Sequence, residues 1–234
     1  MNKLIVVTGG SKGIGRSIIE RFAADGFDIA TCARKQSDLN TLKQEIEGAY
    51  KVSVYTQVTD VTDKNQTKGF TDFVNGLNRP VDVLVNNAGY FEPGQITEEP
   101  DGVLEKMIHS NLYSSYQITR GLVGGMKDRK WGHIFTICSI ASIKAYPNGG
   151  SYAISKFALL GFTKVLREEL KEFGIRVTAV LPGATKTSSW EETEHPESRF
   201  MKPEDVAASV FGAYSLSRNT VVEEILIRPQ LGDI

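Results

Sequence analysis

Residues 3–15 read KLIVVTGGSKGIG, and they give the clearest indication of the fold class. Its apolar start, residues 3–8, is typical of a buried strand, and residues 13–25 follow the period of an amphipathic helix. Closely spaced glycines let the backbone turn sharply and approach a pyrophosphate, which rests against the free N–H groups of the helix N-terminus. A glycine-rich loop alone can be a plain structural turn. Its position between a strand and a helix instead predicts a dinucleotide site formed by Gly9, Ser11, Lys12, Gly13, Ile14 and Gly15.

The same alternation of apolar and helical segments continues along the chain. Further strands are predicted at 27–33, 51–57, 81–86, 132–138, 175–181 and 221–228. Further helices are predicted at 38–47, 64–77, 101–130, 152–172 and 203–214. Strands that alternate with helices form βαβ units with right-handed crossovers, and these build a parallel sheet that is covered on both faces. The expected fold class is therefore α/β: one Rossmann-type domain over residues 1–234, with a doubly wound parallel sheet of about seven strands.

Composition describes an ordinary globular protein with no marked charge. The 234 residues are 41% hydrophobic and 24% charged, and 27 Lys and Arg against 28 Asp and Glu give a net charge of −1. We therefore expect neither nucleic acid nor a membrane as a partner. The apolar run at the N-terminus is too short for a signal peptide, which predicts a cytoplasmic protein. The three histidines are scattered without ligand spacing, so no metal site is expected.

The two cysteines, Cys32 and Cys138, each end a predicted strand. In the usual strand order 3-2-1-4-5 they lie three strand spacings apart, roughly 14 Å at about 4.8 Å per step. A disulfide requires Cα atoms within about 7 Å of each other. Both residues are therefore expected to be buried free thiols.

A basic residue ends the second strand at a point that matters for cofactor choice. NAD-binding proteins place a carboxylate there to accept the ribose hydroxyls, whereas this chain has Arg34 followed by Lys35, with Lys12 in the glycine turn. Basic groups at this point suit a 2′-phosphate and predict NADP. The alternative is that these residues are solvated surface charges.

Two further strand ends carry residues suited to a dinucleotide. Asp60, followed by Val61, can accept a hydrogen bond from an adenine amino group, although it could equally cap the next helix. The fourth strand ends in Asn-Asn-Ala-Gly at 86–89. These small residues allow the backbone of Asn87, Ala88 and Gly89 to approach a cofactor, although the sequence could also form only a turn.

The residues with the clearest catalytic chemistry follow the fifth strand. Ser139 comes directly after it, and Tyr152 and Lys156, four residues apart, share one face of a helix. A phenol with a pKa of about 10 is a poor base near neutrality, and a nearby ammonium lowers that pKa toward the useful range. A Tyr-x-x-x-Lys pattern also occurs by chance on protein surfaces. Together with the glycine turn and Ser139, it predicts an active site.

In their order and spacing these elements resemble the short-chain dehydrogenase/reductase family over essentially the whole chain. The matching segments are TGGSKGIG at 8–15, DV at 60–61, NNAG at 86–89, Asn111, Ser139, YAISK at 152–156 and PG at 182–183. The resemblance implies an active tetrad of Asn111, Ser139, Tyr152 and Lys156. It also implies that Lys156 binds the nicotinamide ribose and that Asn111 holds a water that relays protons.

The resemblance extends to the nicotinamide site and to assembly. It implies that Pro182, Gly183 and Thr185 contact the nicotinamide carboxamide, with Thr187 as an equally suitable threonine. In the family, the helix that carries the Tyr and Lys packs against a partner subunit. That helix has apolar residues around much of its circumference here, which predicts a homodimer or homotetramer.

These features predict an NADP-dependent oxidoreductase that acts on CH–OH groups and interconverts a small-molecule carbonyl and alcohol. A carbonyl reductase of small or medium-sized substrates is favoured over a 3-oxoacyl carrier-protein reductase, because the C-terminal part lacks the Gly-Gly-rich ending of many such enzymes. A non-catalytic NADP-sensing protein on the same fold is the remaining alternative.

The substrate side of the site is the least specified by the sequence. Residues 183–202 include Ser188 and Ser189 and form either a solvated loop or a lid with Trp190 and Phe200 toward the substrate. Aromatic residues at Tyr90, Phe91, Tyr146 and Trp190 suggest a partly aromatic pocket, although residues of this type are also common in packing.

Overall fold

The computed structural model describes residues 2–187, 190 and 193–234. In this part of the chain, seven parallel strands form one sheet in the order β3-β2-β1-β4-β5-β6-β7. The strands are β1 (Leu4–Thr8), β2 (Asp28–Ala33), β3 (Val54–Val58), β4 (Val81–Asn86), β5 (Gly132–Ile137), β6 (Ile175–Pro182) and β7 (Glu224–Ile227). The helices are α1 (Gly13–Ala23), α2 (Gln36–Ala49), α3 (Lys64–Gly76), α4 (Val103–Ile108), α5 (Ser114–Arg129), α6 (Gly150–Leu170) and α7 (Pro203–Tyr214).

Alternation along the strands places helices on both faces of the sheet. Ile5 and Val7 of β1 pack on one face with α1, α2 and α7. Leu4 and Val6 pack on the other face with α3, α5 and α6. Successive side chains of a strand point to opposite faces, so a strand buried on both sides must be apolar throughout. The predicted doubly wound Rossmann fold is confirmed.

The helical stretch predicted at 101–130 is divided into three parts. A π-helical segment, His109–Tyr113, separates α4 from α5. Such segments widen a helix by one residue per turn and are frequent at functional sites. Here the widened turn contains Asn111, which is fully buried.

Some predicted ends shift because the local pattern does not define them. Helix α2 begins at Gln36 and ends at Ala49, two residues beyond the prediction at each end. The last strand is shorter than predicted, because β7 is an edge strand that pairs only with the end of β6, from Ala179 to Pro182.

The strand order also accounts for the two cysteines. Cys32 lies in β2 and Cys138 directly follows β5, and β1 and β4 lie between these two strands. The predicted separation by three strand positions is confirmed, and both thiols are buried and free. In the described ranges, none of the helices is long and apolar enough to cross a membrane. Among the same described residues, no three His, Cys, Asp or Glu side chains lie close enough together to bind a metal ion.

Candidate active site

The carboxyl ends of the strands border an open cleft of ≈ 980 Å³. It lies where β1 meets both β2 and β4, the point at which open α/β sheets bind ligands. Most of the predicted site residues line it: Gly9, Ser11, Lys12, Gly13, Ile14, Arg34, Asp60, Val61, Asn87, Ala88, Gly89, Ser139, Tyr152, Lys156, Pro182, Gly183 and Thr185. Two predicted residues, Gly15 and Asn111, lie behind the cleft wall.

The glycine turn is shaped by packing as well as by backbone freedom. Gly9 and Gly13 have φ angles of 66° and 54°, in the left-handed region that favours glycine. A Cβ atom on Gly15 would lie 2.4 Å from the Asn87 side-chain nitrogen. Gly15 therefore serves close packing under the turn, and the prediction that it contacts a cofactor is not supported by its position.

The first turn of α1 is open toward the cleft. Lys12 is the N-cap residue and its side chain makes no capping hydrogen bond. The N–H groups at the start of a helix have no partner inside the helix, and the helix dipole makes this end positive. Gly13 and Ile14 line the cleft at this point. The arrangement fits a pyrophosphate.

The basic residues predicted to hold a 2′-phosphate lie at one end of the cleft, together with the carboxylate of Asp38. Arg34 and Lys35 are exposed on the cleft wall. The Lys12 Nζ atom lies 3.3 Å from a carboxylate oxygen of Asp38, in the first turn of α2. Asp38 also lines the cleft. Three cations and one carboxylate thus surround this end of the site.

The Asp60 carboxylate bonds to Thr62 and not to the first N–H groups of helix α3. One of its carboxylate oxygens accepts hydrogen bonds from the backbone N–H and the hydroxyl of Thr62, at 2.9 and 2.7 Å. The cap of α3 is Asp63, which accepts hydrogen bonds from the backbone N–H groups of Asn65 and Gln66. The alternative interpretation of Asp60 as the helix cap is therefore wrong, and its position on the cleft wall fits the adenine role.

Asn87 ties the end of β4 to the glycine turn. Its side-chain amide donates hydrogen bonds to the carbonyl oxygens of Thr8 and Gly9, at 2.9 and 3.0 Å. The backbone N–H groups of Asn87 and Ala88 both donate to the Thr8 hydroxyl at 3.0 Å. Next to them, a Cβ atom on Gly89 would lie 3.1 Å from the Asn111 side-chain oxygen. The segment is thus a fixed wall rather than only a turn.

Ser139 is oriented by the short 3₁₀ helix that follows it, Ile140–Ser142. Its Oγ atom accepts a hydrogen bond from the Ala141 N–H at 3.1 Å. Since a serine hydroxyl has one hydrogen to donate and the acceptor side is used here, that hydrogen is available for a ligand in the cleft. Ser139 is buried and lines the cleft.

Tyr152 and Lys156 lie one turn apart near the start of α6, as predicted. The Lys156 Nζ atom donates a hydrogen bond to the Ile137 carbonyl oxygen at 3.0 Å and lies 5.7 Å from the centre of the Tyr152 ring. The side chain of Lys156 is buried, and burial lowers its pKa to about 8. Lys156 thus remains mostly protonated at neutral pH.

The pKa of the Tyr152 hydroxyl is raised, whereas the sequence predicts a lowered value. Burial raises its pKa above the ordinary value, while the nearby Ser139 hydroxyl acts in the opposite direction. The prediction that Lys156 lowers the pKa of Tyr152 is therefore wrong for the protein alone. The reason is that desolvation disfavours the phenolate more than the surroundings stabilise it.

Asn111 contributes to the site from behind its wall. Its side-chain oxygen accepts a hydrogen bond from the Tyr90 N–H at 2.7 Å. Its nitrogen donates to the Tyr90 carbonyl oxygen at 3.0 Å and to the Ser155 hydroxyl at 2.8 Å. Both polar atoms of the amide thus have protein partners, and the Asn111 backbone carbonyl oxygen accepts a hydrogen bond from the Ser115 hydroxyl at 3.4 Å. In this arrangement the side chain ties the loop after β4 to α6.

The two candidate threonines after β6 have different surroundings. Thr185 is buried, and its hydroxyl donates a hydrogen bond to the Gly183 carbonyl oxygen at 3.0 Å. Thr187 lines the cleft, and its methyl carbon would lie 3.1 Å from a Cβ atom on Gly13. Both threonines line the cleft, and Thr187 also lies beside the glycine turn.

The substrate side of the cleft is aromatic in part. Tyr90, Phe91, Tyr146 and Trp190 all line it. Phe200 does not: it is buried, with its ring centre 5.2 Å from that of Trp190, so its predicted contact with substrate is wrong. Segment 183–202, expected to be either a solvated loop or a lid, includes Ser188 and Ser189, which lie outside the described residues.

Sequence reasoning missed two ion pairs at the rim of the cleft. Lys106 pairs with Glu92 at 2.8 Å, and Lys144 pairs with Asp233 at 3.1 Å. Lys106, Lys144 and Asp233 line the cleft. These residues belong to segments far apart in the chain and carry no local motif, so no signal in the sequence could have grouped them.

The sequence is similar to those of known reductases over almost its full length. Sepiapterin reductase of Chlorobaculum tepidum is 32% identical over 244 residues, which cover 100% of this chain and 99% of that protein. A 3-oxoacyl-(acyl-carrier-protein) reductase of Thermotoga maritima is 30% identical over 235 residues, which cover 96% of this chain and 95% of that protein.

The fold likeness extends to solved structures. An alcohol dehydrogenase from the archaeon Thermococcus sibiricus, complexed with 5-hydroxy-NADP, matches with a TM-score of 0.90 at 27% identity, over 97% of this chain and 96% of that one. The family model for short chain dehydrogenases matches residues 3–198. With this match over most of its length, the chain belongs to the short-chain dehydrogenase family of oxidoreductases.

Proposed function

We propose that the protein is an NADPH-dependent carbonyl reductase of small or medium-sized substrates. The observation that carries the proposal is the placement of Ser139, Tyr152 and Lys156 on one cleft with the glycine turn and Arg34. One end of this cleft suits a phosphorylated dinucleotide. The other end offers hydroxyl donors between aromatic walls.

The residues present fit NADPH along the whole cleft. The open first turn of α1 would hold the pyrophosphate. Arg34, assisted by Lys35 and Lys12, would hold the 2′-phosphate, since a guanidinium can grip a phosphate with two hydrogen bonds. Asp60 would accept from adenine, and Thr187 would face the nicotinamide end. Bound NADPH would supply a hydride to the substrate carbonyl carbon.

Ser139 and Tyr152 act on the carbonyl oxygen. The free hydrogen of the Ser139 hydroxyl donates to that oxygen and polarises the bond. Because the pKa of Tyr152 is raised, the phenol keeps its proton at neutral pH and can donate it to the forming alkoxide. The Lys156 ammonium, whose pKa is about 8, stabilises the resulting phenolate and supplies the next proton.

A 3-oxoacyl carrier-protein reductase is the second candidate. It is supported by the relative from Thermotoga maritima, which carries that name and covers nearly the whole chain. Lys106 and Lys144 at the rim would suit an acidic carrier or a phosphorylated thioester. Each of these lysines already has a carboxylate partner, which weakens the case.

Assembly and location belong to the same proposal. The π segment contacts both α5 and α6, and exposed apolar residues on these three elements define an apolar patch: Tyr113, Tyr116, Ile154, Phe157 and Val165. Such a patch suits burial against a second copy, which supports a homodimer or homotetramer. The cytoplasmic location stays a prediction.

The function is tested by NADPH oxidation with a panel of diketones, quinones and 3-oxoacyl thioesters, with the Tyr152→Phe protein as the control. Turnover of diketones or quinones, but not of thioesters, supports the carbonyl reductase. Preference for thioesters establishes the second candidate. Tight NADPH binding without turnover of any substrate would instead indicate a non-catalytic NADP sensor.

A further inference from the structure

Glu99, in the segment between β4 and α4, bonds to the helix that carries Tyr152. One of its carboxylate oxygens accepts a hydrogen bond from the Ser151 backbone N–H at 2.9 Å. The other accepts a hydrogen bond from the Ser151 hydroxyl. Ser151 is buried in the first turn of α6 and directly precedes Tyr152. Both oxygens of one carboxylate are thus committed to the residue beside the proposed proton donor.

The carboxylate occupies a slot that two glycines leave open. A Cβ atom on Gly150 would lie 2.0 Å from a carboxylate oxygen of Glu99, and one on Gly94 would lie 2.7 Å from its Cγ atom. Gly150 also has a φ of 39°, in the left-handed region. Side chains at these positions would push the carboxylate out, so the slot is built around Glu99.

Helix α6 has no cap of its own. Its N-cap residue, Gly149, makes no side-chain capping hydrogen bond. The free N–H groups at a helix start are satisfied by an acceptor, and an anion there is favoured by the helix dipole. Glu99 supplies this acceptor from a segment about 50 residues upstream. It therefore fixes the first turn of α6 from outside the helix.

The same segment touches Tyr152 directly. The Phe91 ring packs edge-on against the Tyr152 ring, with centres 4.8 Å apart. The Gly94 N–H donates to the Asn148 carbonyl oxygen at 3.1 Å, just before α6. Phe91 and Tyr152 both line the cleft. Glu99 thus holds together the two walls between which a substrate carbonyl would lie.

We propose that Glu99 is a positioning residue that acts through Ser151 to hold Tyr152 in line with the substrate oxygen. This role rests on the proposed function of Tyr152 as proton donor. Glu99 does not reach the reacting atoms itself. Its effect is expected in kcat and not in cofactor binding, because a displacement of about 1 Å in a catalytic group lowers the rate by up to about 100-fold.

The test compares Glu99→Ala, Glu99→Gln and the neighbouring Glu98→Ala as matched control. Glu98 is exposed and lies outside the slot. Glu99→Ala should lower kcat by about 10- to 100-fold because Tyr152 is no longer held in place. Glu99→Gln keeps an acceptor for the Ser151 N–H and should restore most of that rate. Glu98→Ala should match the wild type, and the NADPH dissociation constant should stay within about twofold for all three variants because the dinucleotide contacts lie elsewhere.

Three results would overturn the positioning role. An unchanged kcat in Glu99→Ala does so directly, as does a parallel loss of kcat, NADPH affinity and melting temperature, which would indicate only a structural role. If Glu99→Ala does not fold, Glu99→Asp draws the carboxylate back from Ser151 by one methylene group, and an unchanged kcat in that variant has the same meaning. Failure of the proposed function is recognised separately, because Tyr152→Phe would then remain active.

Discussion

The Nζ atom of Lys156 lies 3.0 Å from the carbonyl oxygen of Ile137, at the end of β5. This hydrogen bond holds an ammonium group in the interior, where the Lys156 side chain is 5% exposed. Burial lowers its pKa to about 8, well below that of an exposed lysine. The burial of a charged Lys156 therefore lowers the stability of the folded protein, and this effect can be measured as a pH-dependent free energy of unfolding.

We expect the wild-type protein to gain stability relative to Lys156→Met as the pH rises from 8 to 10. In this range the unfolded chain still binds the lysine proton and the folded protein does not, so stability increases with pH. One pH unit corresponds to at most about 1.4 kcal/mol, which predicts a relative gain of about 2 kcal/mol. Urea unfolding at several pH values, without added cofactor, measures it. Parallel stability curves for the two proteins would contradict the buried, depressed lysine.

His133 predicts the same direction of pH dependence as Lys156, but on the acid side. It is fully buried, and burial lowers its pKa well below the ordinary value. Its Nε2 atom lies 2.8 Å from the Thr178 hydroxyl, which donates its own hydrogen to the Val222 carbonyl oxygen. Nε2 must therefore be the protonated nitrogen. Among the described residues, Nδ1 has no partner that could stabilise a second proton.

The free energy of unfolding of the wild type should consequently fall as the pH drops from 7 to 5. In this range His133 binds a proton in the unfolded chain but stays neutral in the folded protein. In His133→Phe this fall should be smaller by about 1–2 kcal/mol. Exposed His195 provides the matched control, since His195→Gln should follow the wild-type curve. Equal acid sensitivity of His133→Phe and the wild type would show that His133 is not the group responsible.

Arg34 and Asp38 should affect cofactor preference in opposite directions. Arg34→Asp should weaken NADPH binding by roughly 10- to 100-fold and leave NADH equal or better, since a charged hydrogen bond is worth about 1.5–3 kcal/mol. Asp38→Asn frees Lys12 from its 3.3 Å ion pair and should strengthen NADPH binding severalfold. Both dissociation constants must be measured at one salt concentration. Equal wild-type affinities for NADPH and NADH would remove the basis of both expectations.

The exposed apolar patch on α5 and α6 predicts an oligomer. Phe157, at 46% exposure, lies within it and faces away from the core. Light scattering at micromolar concentration should give a mass of at least twice 25.8 kDa for the wild type. Phe157→Glu places a charge in the patch and should shift the protein toward the monomer. A monomeric wild type would refute the proposed interface.

Local signals explain which parts of the structure could be predicted. The alternation of strands and helices, the glycine turn and the Tyr152–Lys156 spacing are readable because their partners lie within a few residues in the chain. The Glu99–Ser151 contact and the Lys12–Asp38 pair join distant segments, so no local pattern reveals them. The pKa of Tyr152 was predicted in the wrong direction because burial depends on the complete fold and outweighs one nearby charge.

The π segment at Asn111 shows the same limit within one helix. Helical periodicity continues through residues 101–130, and the extra residue in the turn changes it too little to be noticed. The consequence is large, because the widened turn directs the Asn111 amide toward Tyr90 and Ser155. Its role as a tie between two walls of the cleft therefore emerged only from the three-dimensional arrangement.

Replacing Tyr152 with phenylalanine tests whether the Tyr152 hydroxyl donates the proton to the substrate. The phenylalanine retains the ring that packs against Phe91 and removes only the acid. The measurement is kcat with a substrate from the panel, together with the NADPH dissociation constant for both proteins. The predicted result is a fall in kcat of about 100-fold or more with unchanged NADPH affinity, in line with the usual contribution of general acid catalysis. A Tyr152→Phe protein that retains most of the wild-type kcat would show that a different group donates the proton.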